Sequence, residues 1–196
     1  MKAATTLAAA AIAGLFSVAA PAQTTGSEVQ RDVNQQQRIE QGLKNGSLTT
    51  REASQLERGE SRIDKMESNA EKDGKLSPAE KARIRRAQNQ ESRRINRLES
   101  NNRTGNPSSA SSQRMQADVQ RNVNQERRVE QGVRSGQLTN REVGKLEGGQ
   151  ARTDRREARA GADGHVSARE QQRVQKGENR QSRRIAKQKH DAQTRQ

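Results

Sequence analysis

The chain has 196 residues, and 38 Lys and Arg face 24 Asp and Glu, for a net charge of +14. It contains no Cys, Trp or Tyr and a single Phe, and only 27% of it is hydrophobic. That excludes a disulfide scaffold, a thiolate metal site and a Cys nucleophile, and it argues against a large enzyme core packed with aromatics.

Residues 1–22 read as an export signal. Lys2 supplies the positive start, Ala3 to Ala20 is an apolar run, and Ala20-Pro21-Ala22 fits a small-residue cleavage site before Gln23. The alternative is a membrane anchor, but the Ala-rich run is at the minimum spanning length. Phe16 leaves with this segment. The remaining chain has no aromatic residue, a charge of +13, and 23 Val, Ile, Leu and Met. So little apolar surface predicts thin helices that are partly disordered at their ends, with residues 23–27 unstructured.

The rest is a duplication. Val29–Ser100 aligns with Val119–His190 at a constant offset of 90, with 32 of 72 positions identical. The predicted architecture is all-α: a three-helix module over 28–100, its copy over 117–190, a flexible linker over 101–116, and a tail over 191–196. The linker contains Asn101–Ser112, rich in Asn, Gly, Pro and Ser.

The first predicted helix carries Val29, Val33, Ile39 and Leu43 and stops at Asn45-Gly46, where Gly suits a left-handed residue. Thr49 to Glu52 form a capping box. The second helix carries Ala53, Leu56, Ile63, Met66 and Ala70 on one face and stops at Asp73-Gly74. Ser77-Pro78-Ala79-Glu80 caps the third, which carries Ile84, Ala87, Ile95 and Leu98. The copy repeats the stops at Ser135-Gly136 and Asp163-Gly164, and the caps at Thr139/Glu142 and Ser167/Glu170. It looks weaker, because Ile63, Met66 and Leu98 become Thr153, Arg156 and Gln188, and Gly148-Gly149 sits mid-helix.

Asn69–Glu80 resembles an EF-hand loop. Asn69, Glu71 and Asp73 stand at positions 1, 3 and 5, Gly74 at 6 and Glu80 at 12, a spacing that can wrap oxygen ligands around calcium. The other three loops keep the skeleton and lose the ligands, and a stop followed by a capping box accounts for the same residues. The loop is therefore expected to be structural, with calcium as the alternative.

Arg outnumbers Lys, 28 to 10. Arg93-Arg94 and their copy Arg183-Arg184 are candidate contacts for an anionic partner. Residues 117–190 carry net +8 against +3 for 27–100, which favours the second module for such a contact. The competing account is a solvated face with ion pairs around Arg62, Glu67, Glu71 and Lys72. Without aromatics to stack on bases, no nucleic acid partner is expected. Carboxylates such as Glu57 and Glu60 read as helix-surface groups, and His165 and His190 have no partner at ligand spacing, so no catalytic or cofactor-binding residue is assigned.

The pattern Asn34/Arg38/Ile39/Gly42/Gly46/Leu48/Thr49/Glu52, then Asp73/Gly74/Leu76/Ser77/Glu80, then Asn89/Ser92/Ile95, recurs in the second copy. It resembles a group of uncharacterised exported helical repeat proteins of proteobacteria with degenerate EF-hand-like turns. The resemblance spans both modules. It implies a bacterial, envelope-side setting (periplasmic or secreted) and no activity. The expected function is a non-catalytic, basic helical interaction protein that binds anionic envelope components or protein partners.

Overall fold

The computed structural model describes residues 25–191. The expected export signal lies outside the described residues, as do 192–196 of the tail. Within them the chain is all-α, with α1 Thr25–Asn45, α2 Thr50–Ala70, α3 Pro78–Glu99, α4 Ala110–Arg134, α5 Asn140–Ala160 and α6 Ala168–Lys189. None of these helices is long and apolar enough to cross a membrane.

Local chemistry sets these boundaries. Gly46, Gly74, Gly136 and Gly164 all have positive φ, from 72° to 93°, where a Cβ would be strained. Four capping boxes form, at Thr49/Glu52, Ser77/Glu80, Thr139/Glu142 and Ser167/Glu170. Each carboxylate accepts from the cap residue's backbone N–H, and each cap hydroxyl accepts from the third helical N–H.

Two boundaries differ from the sequence reading. α1 begins at Thr25, inside the stretch expected to lack structure. Thr25 is buried, and its hydroxyl donates to Asn140 Oδ1 at 3.0 Å. α4 begins at Ala110, inside the expected linker, because Ser109 accepts from the Ser112 N–H and Met115 anchors the first turns in the core. The shortened connection is fastened to the first repeat. The Gly105 N–H donates to Gly46 O at 2.8 Å, and the Asn101 side chain donates to Glu52 at 2.8 Å.

The main packing runs between the repeats. The most extensive helix pairs are α2 with α5 and α1 with α4; α3 covers α1 and α2, and α6 covers α4 and α5. Contacts fix the sense of these pairs. Arg51 donates to Asp163 O while Arg141 donates to Asp73 O, so α2 and α5 run antiparallel. Lys44 reaches Gln120 and Arg134 reaches Gln30, which makes α1 and α4 antiparallel too. Ser61 and Ala151 are equivalent positions of the two repeats, and they meet directly: the Ser61 hydroxyl donates to Ala151 O at 2.7 Å. The duplication therefore builds an internal two-fold, as an isologous dimer does between chains.

The apolar core divides in two. Ile39, Leu43, Leu48 and Leu56 pack with Met115, Val119 and Val174, and Val29 packs with Val129, Val133, Leu138, Leu146 and Ile185. Each cluster mixes both repeats. Between them, residues 57–67 of α2 face 147–157 of α5, and this middle layer is acidic.

Candidate functional site

The loop over 69–80 is bound up in the fold. Glu80 Oε2 accepts from the Ser77 N–H at 2.9 Å and from the Ser77 hydroxyl at 2.6 Å. These bonds hold its pKa below the ordinary carboxylate value. Asp73 Oδ1 accepts from the Lys75 N–H at 2.9 Å. Glu71 is buried, with its Cβ against Gly144 of α5. Asn69 is exposed at the end of α2 and borders a depression of about 170 Å³ shared with Glu80. Glu71 is thus turned toward the second repeat and Glu80 toward its own cap.

The four candidate anion contacts separate. Arg93 and Arg183 are exposed. Arg94 sits 3.6 Å from Glu91, and with Arg62 and Arg97 it surrounds that carboxylate. Arg184 lines a groove between α5 and α6.

That groove is built from guanidinium groups. Arg152, Arg156 and Arg159 of α5 stand four and three residues apart, on one helix face. Arg173, Arg180 and Arg184 of α6 oppose them. Three adjoining depressions, of about 450, 300 and 500 Å³, share Arg156 and Arg180, then Arg152 and Arg184. Glu170 also lines the first depression, but among the described residues no ion pair forms to any of these six arginines. Desolvation and the neighbouring guanidiniums lower the pKa of Arg152 and Arg156, although both stay charged at any ordinary pH.

The first repeat has the same helices and a different lining. Met66, Asn69 and Gln90 stand where the second has Arg156, Arg159 and Arg180, and Glu91 stands for Gln181. The apparent weakness of the second repeat is here a surface feature. Thr153 is buried, and Arg156 points into the groove. The mid-helix glycines also have a local cause. A Cβ on Gly149 would collide with the Gln181 amide, and one on Gly148 would lie 2.6 Å from Ser68 Oγ. Both residues let a neighbouring helix approach closely.

The charge distribution is inside out. Most of the 24 acidic side chains are buried, and no described Lys or Arg is. Glu57 and Glu60, expected on the helix surface, are 0% and 1% exposed, and Glu67 and Glu71 are buried as well. They sit in the interface with α5, which a single repeat read alone would leave open to water. Two triads stand out: Glu57 with Asp154 and Glu157, and Glu147 with Asp64 and Glu67. Within each, one oxygen per residue lies within 4.8 Å of the others. The offset of 90 exchanges one triad for the other, so each takes one acid from one repeat and two from its copy.

Burial raises the pKa of these groups. Desolvation and then neighbouring acids push Glu57, Asp64, Glu67, Glu147 and Glu157 well above their ordinary values. Asp154 rises to about 7, mainly by desolvation, and Asp32 to about 7 for the same reason. Asp64 and Asp154 are hydrogen-bonded to each other between the triads. Glu57 is likewise hydrogen-bonded to Glu157 and Asp32 to Glu67, and amides add further donors. Gln36 Nε2 donates to Glu57 at 3.1 Å, Asn122 Nδ2 to Glu157 at 2.7 Å, and Gln88 Nε2 to Asp32 at 2.9 Å and Glu67 at 3.0 Å.

Sequence reasoning missed this layer, although a signal was present. Positions 53, 56, 60, 63, 67 and 70 form one helical stripe, and Glu60 and Glu67 fill apolar positions in it. The spacing Glu-x6-Asp-x2-Glu also recurs in both copies, at 57/64/67 and 147/154/157. Comparison of the chain with protein-family models, with curated proteins and with solved structures finds no match.

Proposed function

We propose that this chain is a non-catalytic, exported interaction protein of the bacterial envelope that binds an anionic component through the α5–α6 groove. The observation that carries this reading is the set of six arginines along one groove, none of them in an ion pair among the described residues. Guanidinium groups bind phosphate and carboxylate in pairs of hydrogen bonds, and a row of them suits an extended anion. Mutual repulsion along the row is relieved when an anion sits between them. The first repeat supplies an internal control, because it keeps the fold and lacks half of the row.

The test is binding of the chain to vesicles containing phosphatidylglycerol and to polyphosphate, across a range of salt. Replacing Arg156, Arg159 and Arg180 by the first repeat's Met, Asn and Gln uses residues the fold already accommodates. Affinity should fall about tenfold or more at low salt, and the slope of log K against log salt should drop by about two to three. No binding of the unaltered chain at low salt would sink the proposal.

A further inference from the structure

We infer that the two buried carboxylate triads are binding centres for hard divalent cations, calcium or manganese in class, held at the heart of the four-helix core. The groove plays no part in this inference, which rests on the middle layer of α1, α2, α4 and α5.

Three observations point to a ligand. First, the acids converge without any counter-charge. The charged neighbours that act most strongly on Glu57, Asp64, Glu147 and Glu157 are themselves acidic. Clustering buried acids is costly unless a cation or shared protons neutralise them. Second, buried polar atoms in the cluster and beside it lack donors. Glu147 is 1% exposed, and neither of its oxygens accepts a hydrogen bond. Asn122 is fully buried, and its amide is held beside the first triad by donation to Asp154 and Glu157. Its Oδ1 still has no donor. Third, the arrangement occurs twice. All three triad acids are the same in both copies, although 40 of the 72 aligned positions differ.

The donor set selects the class of ion. Each triad offers up to six carboxylate oxygens and no nitrogen or sulfur. Oxygen-only sites suit calcium, magnesium or manganese, and not the softer metals. Calcium and manganese fit better than magnesium, because three carboxylates already approach six donors and magnesium prefers to keep its waters. The two centres are not equivalent. Beside the first triad stand the amides Gln36 and Asn122; at the equivalent places beside the second stand Glu126 and Asp32. The second centre, with two more acids, should load first.

The full chain, stripped of metal with chelator, would be titrated calorimetrically with manganese and with calcium, and melted with and without each ion. Two binding events per chain and a raised melting temperature are expected. Glu57→Gln should remove the weaker event and Glu147→Gln the tighter one. Both variants should fold, since each takes a charge out of the core and keeps its shape; their metal-free melting temperatures should equal or exceed that of the unaltered chain. Glu80→Gln should leave both events intact. Failure of the folded chain to bind either ion at millimolar concentration would overturn the assignment. So would two events surviving in the Glu57→Gln/Glu147→Gln double variant, or binding that disappears only with Glu80→Gln.

Discussion

The two repeats share a backbone plan and differ in what they do with charge. In the first, Glu91 stands among Arg62, Arg94 and Arg97 and neutralises them locally. In the second, Gln181 replaces that acid, three further arginines line the same crevice, and the row is left unpaired. The core shows the reverse polarity, with amides at Gln36 and Asn122 on one side of the two-fold and acids at Glu126 and Asp32 on the other. A duplicated scaffold can thus hold packing constant while a few exchanges per copy decide where charge is satisfied and where it is offered to a ligand.

The largest expected effect tests the core as a whole. Asp32 and Asp154 have pKa values raised to about 7, and Asp118 and Glu178 to about 8 and about 7. The groups that face this layer are Asp32 from α1, Glu60 from α2, Glu91 from α3, Glu126 from α4 and Glu178 from α6, besides the triads. A carboxyl with a raised folded pKa stays protonated in the folded chain while the unfolded chain ionises. Its contribution is whole below about pH 4 and is lost as pH climbs through 7. Chelated protein should therefore melt at a clearly higher temperature at pH 5 than at pH 8, and manganese or calcium should remove most of the loss at pH 8. Scanning calorimetry at both pH values, with and without the ion, reads this directly.

A second prediction erases the asymmetry of the core. Asn122→Asp gives the first triad the acid that the second already has. Cation affinity at the weaker site should rise about tenfold, and chelated protein at pH 8 should lose about 1–3 kcal/mol, because a donor to Glu157 disappears and another acid is buried. Calorimetric titration and urea melts test both halves. A third prediction copies the groove instead. Met66→Arg, Asn69→Arg, Gln90→Arg and Glu91→Gln together should create a second anion site on α2–α3, seen as a doubled binding stoichiometry for polyphosphate. The smallest effects belong to positions where the repeats act alike. Thr49→Ala and Thr139→Ala should each cost about 1 kcal/mol by urea denaturation, since both caps make the same hydrogen bonds.

Helix ends were legible because their causes are local. A positive-φ Gly and a Thr or Ser three residues before Glu can be read within a few positions, and all four stops and all four capping boxes form as read. The apolar stripes were legible too: Val29, Ile39, Leu56, Ile84 and Ile95 are all buried. The acids were not. Glu57 and Glu147 look like surface residues when a repeat is folded in isolation, because the α2 and α5 surfaces that carry them pack chiefly against the other repeat. The groove was half legible. Net charge pointed to the second repeat, and Arg184, one of the candidate anion contacts, lines the crevice. Arg183 does not, because adjacent residues on a helix point about 100° apart.

The amino-acid sequence by itself determined the helices, their caps and the internal duplication, since propensity, punctuation and periodicity act over a turn or two of chain. Only the tertiary structure decided that the two repeats interlock antiparallel, α2 on α5 and α1 on α4. That pairing brings residues 90 positions apart in the duplication face to face. It turns two polar helix surfaces into one buried acidic layer, and it leaves the arginine row between α5 and α6 on the outside, without ion pairs among the described residues.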